Sequence, residues 1–199
     1  IWTQLQSAAV PINKVSISQQ HRFGSLRFNA DELKVPLLGA VVSFDELLAN
    51  LNDNAKLHSA PYYINKIDSI KQSKEHVCLC YQNDNGEHTL SARLLIAADG
   101  MHSHCRQLLG IGVNENKVTD SALTFALELN GAHQHCAWQR FTRHGTMAIV
   151  PMNQTNVSRL VWTCDNNYAQ IVQTWSEAQL LEHLNSVYAG SIPTINHIK

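Results

Sequence analysis

"LLIAADGMHSHCRQLLGIG", residues 94–112, is the stretch on which the fold turns. Leu94 to Ala98 is continuously apolar, which suits a strand buried on both faces, as in a covered parallel sheet. After Asp99-Gly100 the spacing becomes helical from Ser103 to Leu109, and Gly110 fits the residue just past a helix end. The expectation is strand, tight turn, short helix. In open α/β sheets ligands gather beyond the carboxyl ends of the strands, and Asp99 falls at such an end. Gly100 lets a ligand or a second backbone come close. Ser103 can cap the helix, and Arg106 lies one turn inside it.

The same stretch invites a metal reading, through His102, His104 and Cys105, with His133, His135 and Cys136 repeating the pattern further on. His133 and His135 are expected on one side of a strand. A closed zinc site needs four ligands, however, and each cluster offers three at most. His104 and Cys105 are adjacent and would diverge on a helix. No metal site is expected. Cys78 and Cys80 read as ordinary half-buried residues on one face of a strand.

Working outward, "KVSISQQ" (14–20) alternates as a strand does, and "FGSLRF" (23–28) can pair with it after a turn. Ser43 with Glu46 is a capping box opening a helix whose apolar face is Leu47, Leu48 and Leu51. "NKIDSI" and "HVCLCYQ" read as antiparallel strands, Asn85-Gly86 as a hairpin signal, and "TLSARLLIAAD" as the returning strand. From Ser121 four strand candidates follow in succession: "SALTFALELN", "HCAWQRFT", "TMAIVPM" and "NVSRLVWTCD". Short turns between them predict an antiparallel sheet. "YAQIVQTW" reads as a helix, and Ser176 with Gln179 caps another that ends at Gly190. A boundary is expected near residues 113–120.

Composition narrows the function. The chain has 199 residues, 44% hydrophobic and 16% charged, enough for one or two domains with a real core. A net charge of −1 and the lack of any Lys/Arg run argue against nucleic-acid binding. No apolar stretch approaches the roughly 20 residues of a transmembrane helix. The start resembles no signal peptide and lacks Met, so an earlier natural start is expected. Five Cys, an odd number, suit reduced thiols in the cytoplasm. Nucleophile elbows, phosphate loops and G-x-G-x-x-G are absent.

"AADGMHSHCR" matches A-D-G-x-x-S-x-x-R at Asp99, Gly100, Ser103 and Arg106. In this it resembles the second fingerprint of the flavoprotein aromatic hydroxylases of the p-hydroxybenzoate hydroxylase class. "RFTRHGTMAIVPM", "SRLVWT", "WSEAQLLEHL" and "LGAVVSFDELLANL" are similar, in order, to segments of that class's ubiquinone-biosynthesis branch, the 2-polyprenyl-6-methoxyphenol hydroxylases. Thr146 stands where the branch has Pro. The segment after Val42 is shorter and offers no Gln or Arg to match the family's flavin-contacting helix residue.

The resemblance implies an α/β (α+β) chain, a partial FAD-binding layered α/β domain plus an antiparallel-sheet substrate domain with helices. Residues 1–35 would add strands to the substrate domain, 36–113 would be the middle of the FAD-binding domain, and 114–199 the substrate-binding sheet and helices. It also implies FAD as cofactor, NAD(P)H and oxygen as co-substrates, and hydroxylation of a prenylated phenol. Asp99, Gly100, Ser103 and Arg106 would contact the cofactor, and no side chain serves as a catalytic nucleophile. Phe125, Trp138, Phe141 and Trp162 are the candidate substrate wall. Other ubiquinone-biosynthesis proteins would be partners, in the cytoplasm with peripheral contact to the inner membrane. Two of the family's flavin motifs are not in the chain, so by itself it is expected to bind FAD weakly or not at all and to be inactive. The alternatives are a non-catalytic lipid- or partner-binding module, and a flavin hydroxylase acting on another aromatic compound.

Overall fold

A computed structural model describes residues 2–57, 66–83, 86–116 and 118–199. The chain divides into two compact units, residues 1–54 with 118–199, and residues 55–117.

The amino-terminal part runs through helix α1 (Trp2–Leu5) and strands β1 (Val10–Ile12), β2 (Lys14–Gln19) and β3 (Ser25–Asn29). Helix α2 (Ala30–Leu33) is capped by the Asn29 side chain, which accepts the Asp31 N–H at 3.2 Å. Strand β4 (Gly39–Val41) pairs antiparallel with β1, and helix α3 (Phe44–Leu57) follows. The expected cap forms there, with Ser43 Oγ accepting the Glu46 N–H at 3.2 Å. The apolar face of α3 is less covered than its pattern suggests: Leu47 is half-buried, while Leu48 and Leu51 are exposed.

In residues 55–117, strands β5 (Ile67–Gln72), β6 (Val77–Asn83) and β7 (Gly86–Ala92) form an antiparallel three-stranded sheet. Asn85, half of the expected hairpin signal, lies outside the described residues. Cys78 and Cys80 share one face of β6, their thiols 3.8 and 3.7 Å from the Ser91 and Thr89 hydroxyls of β7. Helix α4 (His104–Leu108) forms as expected and is tied to β5 by a 2.8 Å contact between His104 Nε2 and the Ile67 carbonyl.

Leu94–Ala98 departs from expectation: it is not a strand. Leu94 and Ile96 are 72% and 78% exposed. A strand exists through a ladder to a neighbour, and no described segment pairs with residues 94–98. Continuous apolarity reports a demand for burial. It does not specify a hydrogen-bonding partner.

The last part of the chain carries the large sheet. Strands β8 (Asp120–Leu129), β9 (Cys136–Thr142), β10 (Gly145–Pro151) and β11 (Val157–Asp165) pair antiparallel as the sequence predicts. Helices α5 (Asn166–Gln173) and α6 (Glu177–Tyr188) follow, then strand β12 (Ile195–Ile198), which pairs with β8. The sheet order is β12-β8-β11-β10-β9-β2-β3, and the β2–β9 pair is parallel. The α6 capping box is complete: Ser176 Oγ accepts the Gln179 N–H at 3.3 Å, and Gln179 Oε1 accepts the Ser176 N–H at 2.9 Å.

His133 and His135 are in a turn before β9, not on a strand. Gln134 and His135 both have positive φ, 49° and 55°, which breaks the extended chain. The bend lets the His135 carbonyl accept the Asn13 and Lys14 N–H groups at 2.9 and 3.3 Å, starting the parallel pair. His133 is 2% exposed. Its Nδ1 accepts the His135 N–H at 3.1 Å, so Nε2 carries the proton it donates to the Met152 carbonyl at 2.9 Å. Both ring nitrogens are therefore engaged. Among the described residues no group of three His, Cys, Asp or Glu could hold a metal.

One face of the large sheet presents Leu123, Leu127, Met147, Ile149, Leu160 and Trp162, which pack under Val172 of α5 and Leu180 and Leu184 of α6. Side chains alternate along a strand, so Phe141, Ala148, Val150 and Val161 point to the other face. On the covered side His144 stacks on Tyr168 at 3.9 Å between centroids, and His183 stacks on Trp162 at 5.3 Å. Burial lowers the pKa of both histidines from 6.5. The Arg143 charge adds to the effect at His144, and His144 adds to it at His183. A histidine kept neutral by folding takes up its proton more readily when unfolded, so acid favours unfolding. Stability from these two is present above about pH 6.5 and is lost as pH falls below it. Urea unfolding midpoints should drop between about pH 7 and pH 5, and the drop should shrink in a His144→Gln/His183→Gln variant.

Candidate functional site

Residues 99–106 form a loop that holds itself in shape. Asp99 uses both carboxylate oxygens: Oδ1 accepts the Ser103 hydroxyl at 2.5 Å and Oδ2 accepts the Cys105 N–H at 2.9 Å. Ser103 Oγ in turn accepts the Arg106 N–H at 3.0 Å, which is the N-cap contact of α4. A backbone bond from Ser103 N–H to the Gly100 carbonyl, 3.2 Å, closes the turn. Gly100 sits at φ 82°, where other residues are strained, and nothing lies within 4 Å of where a Cβ would be. The Ser103 hydrogen bond, then the Cys105 N–H, hold the Asp99 carboxyl well below the usual carboxylate range. Cys105 is buried at 6% exposure, and burial, then the hydrogen bond with Asp99 and the Asp99 charge, push its thiol up, which disfavours the thiolate.

The four motif residues therefore come together, with distinct jobs. Asp99 and Ser103 are committed to one another and to the backbone. Arg106 is half-buried and gives one Nη2 N–H to the Met101 carbonyl at 2.8 Å. A guanidinium has five N–H donors in a planar fork, and among the described residues the Met101 carbonyl is the one acceptor its side chain meets. Met101 and His102 are exposed beside it. The sequence marked Arg106, but not the Met101 carbonyl or the Cys105 N–H, because backbone partners leave no side-chain signature.

The four candidate wall residues do not line one surface. Trp162 is 0% exposed inside the core, and Phe125 and Trp138 are partly buried against that core. Phe141 is 43% exposed and on the opposite face. Aromatic content could not distinguish the two faces. Only the register of β9 against β10, which sets Phe141 beside Thr146 and Trp138 beside Ile149, separates them.

Residues 2–190 match the family described as FAD binding domain. The chain belongs to that family. The chain is also similar to individual proteins. The chain is 25% identical to an uncharacterised Synechocystis protein over 92% of its own length and 45% of the relative's. It is 30% identical to the 3-demethoxyubiquinol 3-hydroxylase of Escherichia coli, over 77% of this chain and 39% of the enzyme. Mouse mitochondrial ubiquinone biosynthesis monooxygenase COQ6 is 36% identical over 52% of this chain and 22% of its own. The chain thus spans less than half the length of these curated relatives. In fold it is similar to Pseudomonas aeruginosa PqsL (TM-score 0.75, 14% identity, 99% of this chain and 56% of PqsL). It is also similar to the flavin-dependent halogenase CmlS (TM-score 0.66, 13% identity, 100% of this chain and 40% of CmlS). The mixed α/β fold expected from the sequence agrees with both likenesses.

Proposed function

We propose that this chain is part of an FAD-dependent monooxygenase that hydroxylates a prenylated phenol in ubiquinone biosynthesis, using NAD(P)H and oxygen. The self-locked loop 99–106 carries the reading, because it leaves Arg106 as a charged fork on a glycine-opened turn within the FAD binding domain family. The named relatives include a 3-demethoxyubiquinol 3-hydroxylase and ubiquinone biosynthesis monooxygenases, which supports the substrate class.

The residues present fit a flavin nucleotide. Arg106 would hold a phosphate or a ring carbonyl, Gly100 would let the backbone approach, and Asp99 and Ser103 would position that loop without touching the cofactor. FAD, when bound, would supply the redox chemistry of oxygen transfer. No side-chain nucleophile is required of the chain. The protein's part would be to orient the phenol ring and exclude water. We assign the substrate wall to the uncovered sheet face around Phe141, Ala148, Val150 and Val161, rather than to the core residue Trp162. Residues 1–35 and 114–199 would then carry the substrate sheet, and 36–113 the flavin contacts, although 36–54 cluster with the first unit. Among the described residues no helix is long and apolar enough to cross a membrane. The apolar tail of a prenylated substrate would itself favour a lipid surface or a partner protein over water.

The test is an assay of the gene's complete product for NAD(P)H-dependent oxygen uptake with a short-chain prenylphenol, with hydroxylated product identified by mass spectrometry. Arg106→Ala should raise the FAD dissociation constant about tenfold with the melting temperature unchanged. Phenol or lipid binding without any flavin spectrum would favour a non-catalytic module and overturn the proposal.

A further inference from the structure

The large sheet carries a second recessed site on the same face as its helices, at the end those helices leave uncovered. Register defines it. Asn29, Lys14 and Cys136 form one row across β3, β2 and β9; Arg27, Ser16 and Trp138 form the next; Ser25, Ser18 and Arg140 form a third. Residues two apart on a strand share a face, so these rows build one surface. Over the first two rows lies a cavity of about 450 Å³ that includes Lys14, Ser16, Arg27, Cys136 and Trp138 in its lining, with Pro193 as a further apolar contact. That volume is in the range of small-molecule sites.

The electrostatics are one-sided. Lys14 and Arg27 both line the cavity, and Arg140, which donates to Ser18 Oγ at 3.0 Å, adds a third positive charge in the neighbouring row. Arg140 Nε is buried and has no hydrogen-bond partner among the described residues. One carboxylate, Glu32, also lines the cavity, and among the described residues no ion pair joins it to Lys14 or Arg27. Burial pushes the Cys136 thiol up while Lys14 and Arg27 oppose that rise, which places both cations within electrostatic reach of the same thiol. Trp138 supplies a half-buried aromatic surface beside the two cations.

We propose that this cavity binds a small aromatic anion, its ring against Trp138 and its acid group held between Lys14 and Arg27. Its lining includes no residue of loop 99–106 and not Phe141. Two cations with hydroxyl neighbours recognise a carboxylate, and an indole beside them recognises a flat apolar body.

Calorimetric titration of the chain with salicylate, its neutral isostere salicylamide, and inorganic phosphate tests this. Salicylate should bind best, with salicylamide and phosphate each weaker by about tenfold or more. Lys14→Ala/Arg27→Ala, two exposed positions whose loss should leave the melting temperature unchanged, should weaken salicylate by about tenfold or more, and Glu32→Gln should tighten it. Salicylate should also slow iodoacetamide alkylation of Cys136 without changing that of Cys78, read by peptide mass spectrometry. Equal binding of salicylate and salicylamide, or of phosphate and salicylate, overturns the proposal. So does an unaffected double variant, an unprotected Cys136, or no binding at all.

Discussion

Gly145→Ala is expected to bring the larger unit close to unfolding. Gly145 begins β10, at the turn from β9, with φ 109°, a conformation L side chains rarely adopt. A Cβ built there would sit inside the Thr163 carbonyl oxygen, 2.9 Å from the Thr163 carbonyl carbon and 3.0 Å from the Cys164 Cα. All three are backbone atoms, so no rotamer change relieves the clash. Nor can β11 easily retreat. Thr163 is paired with Thr146 on one side and Ala122 on the other, so moving it disturbs both ladders. The turn is also pinned locally, because Thr142 Oγ1 donates to the Gly145 carbonyl at 3.0 Å and accepts the His144 N–H at 3.1 Å.

Backbone strain of about 1–3 kcal/mol and overpacking of about 1–3 kcal/mol then act together. Their sum, on the order of 2–6 kcal/mol, is a large part of the roughly 5–15 kcal/mol that holds an ordinary domain folded. Urea unfolding should show the midpoint falling steeply in Gly145→Ala. Gly24→Ala is the matched control. Gly24 has a similar φ of 97° but nothing within 4 Å of a Cβ, so only the strain of about 1–3 kcal/mol remains. Equal losses in the two variants would show that the Thr163 contact contributes nothing.

How much of this was legible in advance depends on whether the signal is local. The β8–β11 strands, the α6 capping box and the Ser103 cap are written in period-two alternation and in single residues three positions apart, and all were readable. The A-D-G-x-x-S-x-x-R spacing located the candidate loop because Asp99, Ser103 and Arg106 interact within one turn of chain. Non-local pairing was not legible. Leu94–Ala98 carries the composition of a strand, but no residue in it says what it should pair with. The parallel β2–β9 pair depends on a bend at Gln134-His135, two residues whose positive φ has no glycine to announce it. Aromatics at Trp138, Phe141 and Trp162 looked alike because composition cannot tell the covered face of a sheet from the open one.

Trp162→Ala separates those two faces by experiment and should cost about 3–5 kcal/mol. The indole is 0% exposed in the middle of β11, with Met147 and Leu123 as its cross-strand neighbours. It stacks on His183 at 5.3 Å and 8°, meets Tyr168 edge-on at 5.7 Å, and lies 6.3 Å from Trp175. Its Nε1–H donates to the His144 carbonyl at 3.3 Å. Truncation therefore opens a cavity lined by three other aromatic rings and leaves that carbonyl without its donor. Close-packed interiors relax only in part around such a loss, which sets the high magnitude. Trp162→Phe keeps much of the buried area and loses the hydrogen bond, so its cost should be smaller, on the order of 1–2 kcal/mol. Phe141→Ala, on the open face, should cost little stability and instead weaken phenol binding by the complete gene product. A stable Trp162→Ala protein with impaired phenol binding would reverse the assignment of the two faces and make Trp162 part of the substrate wall.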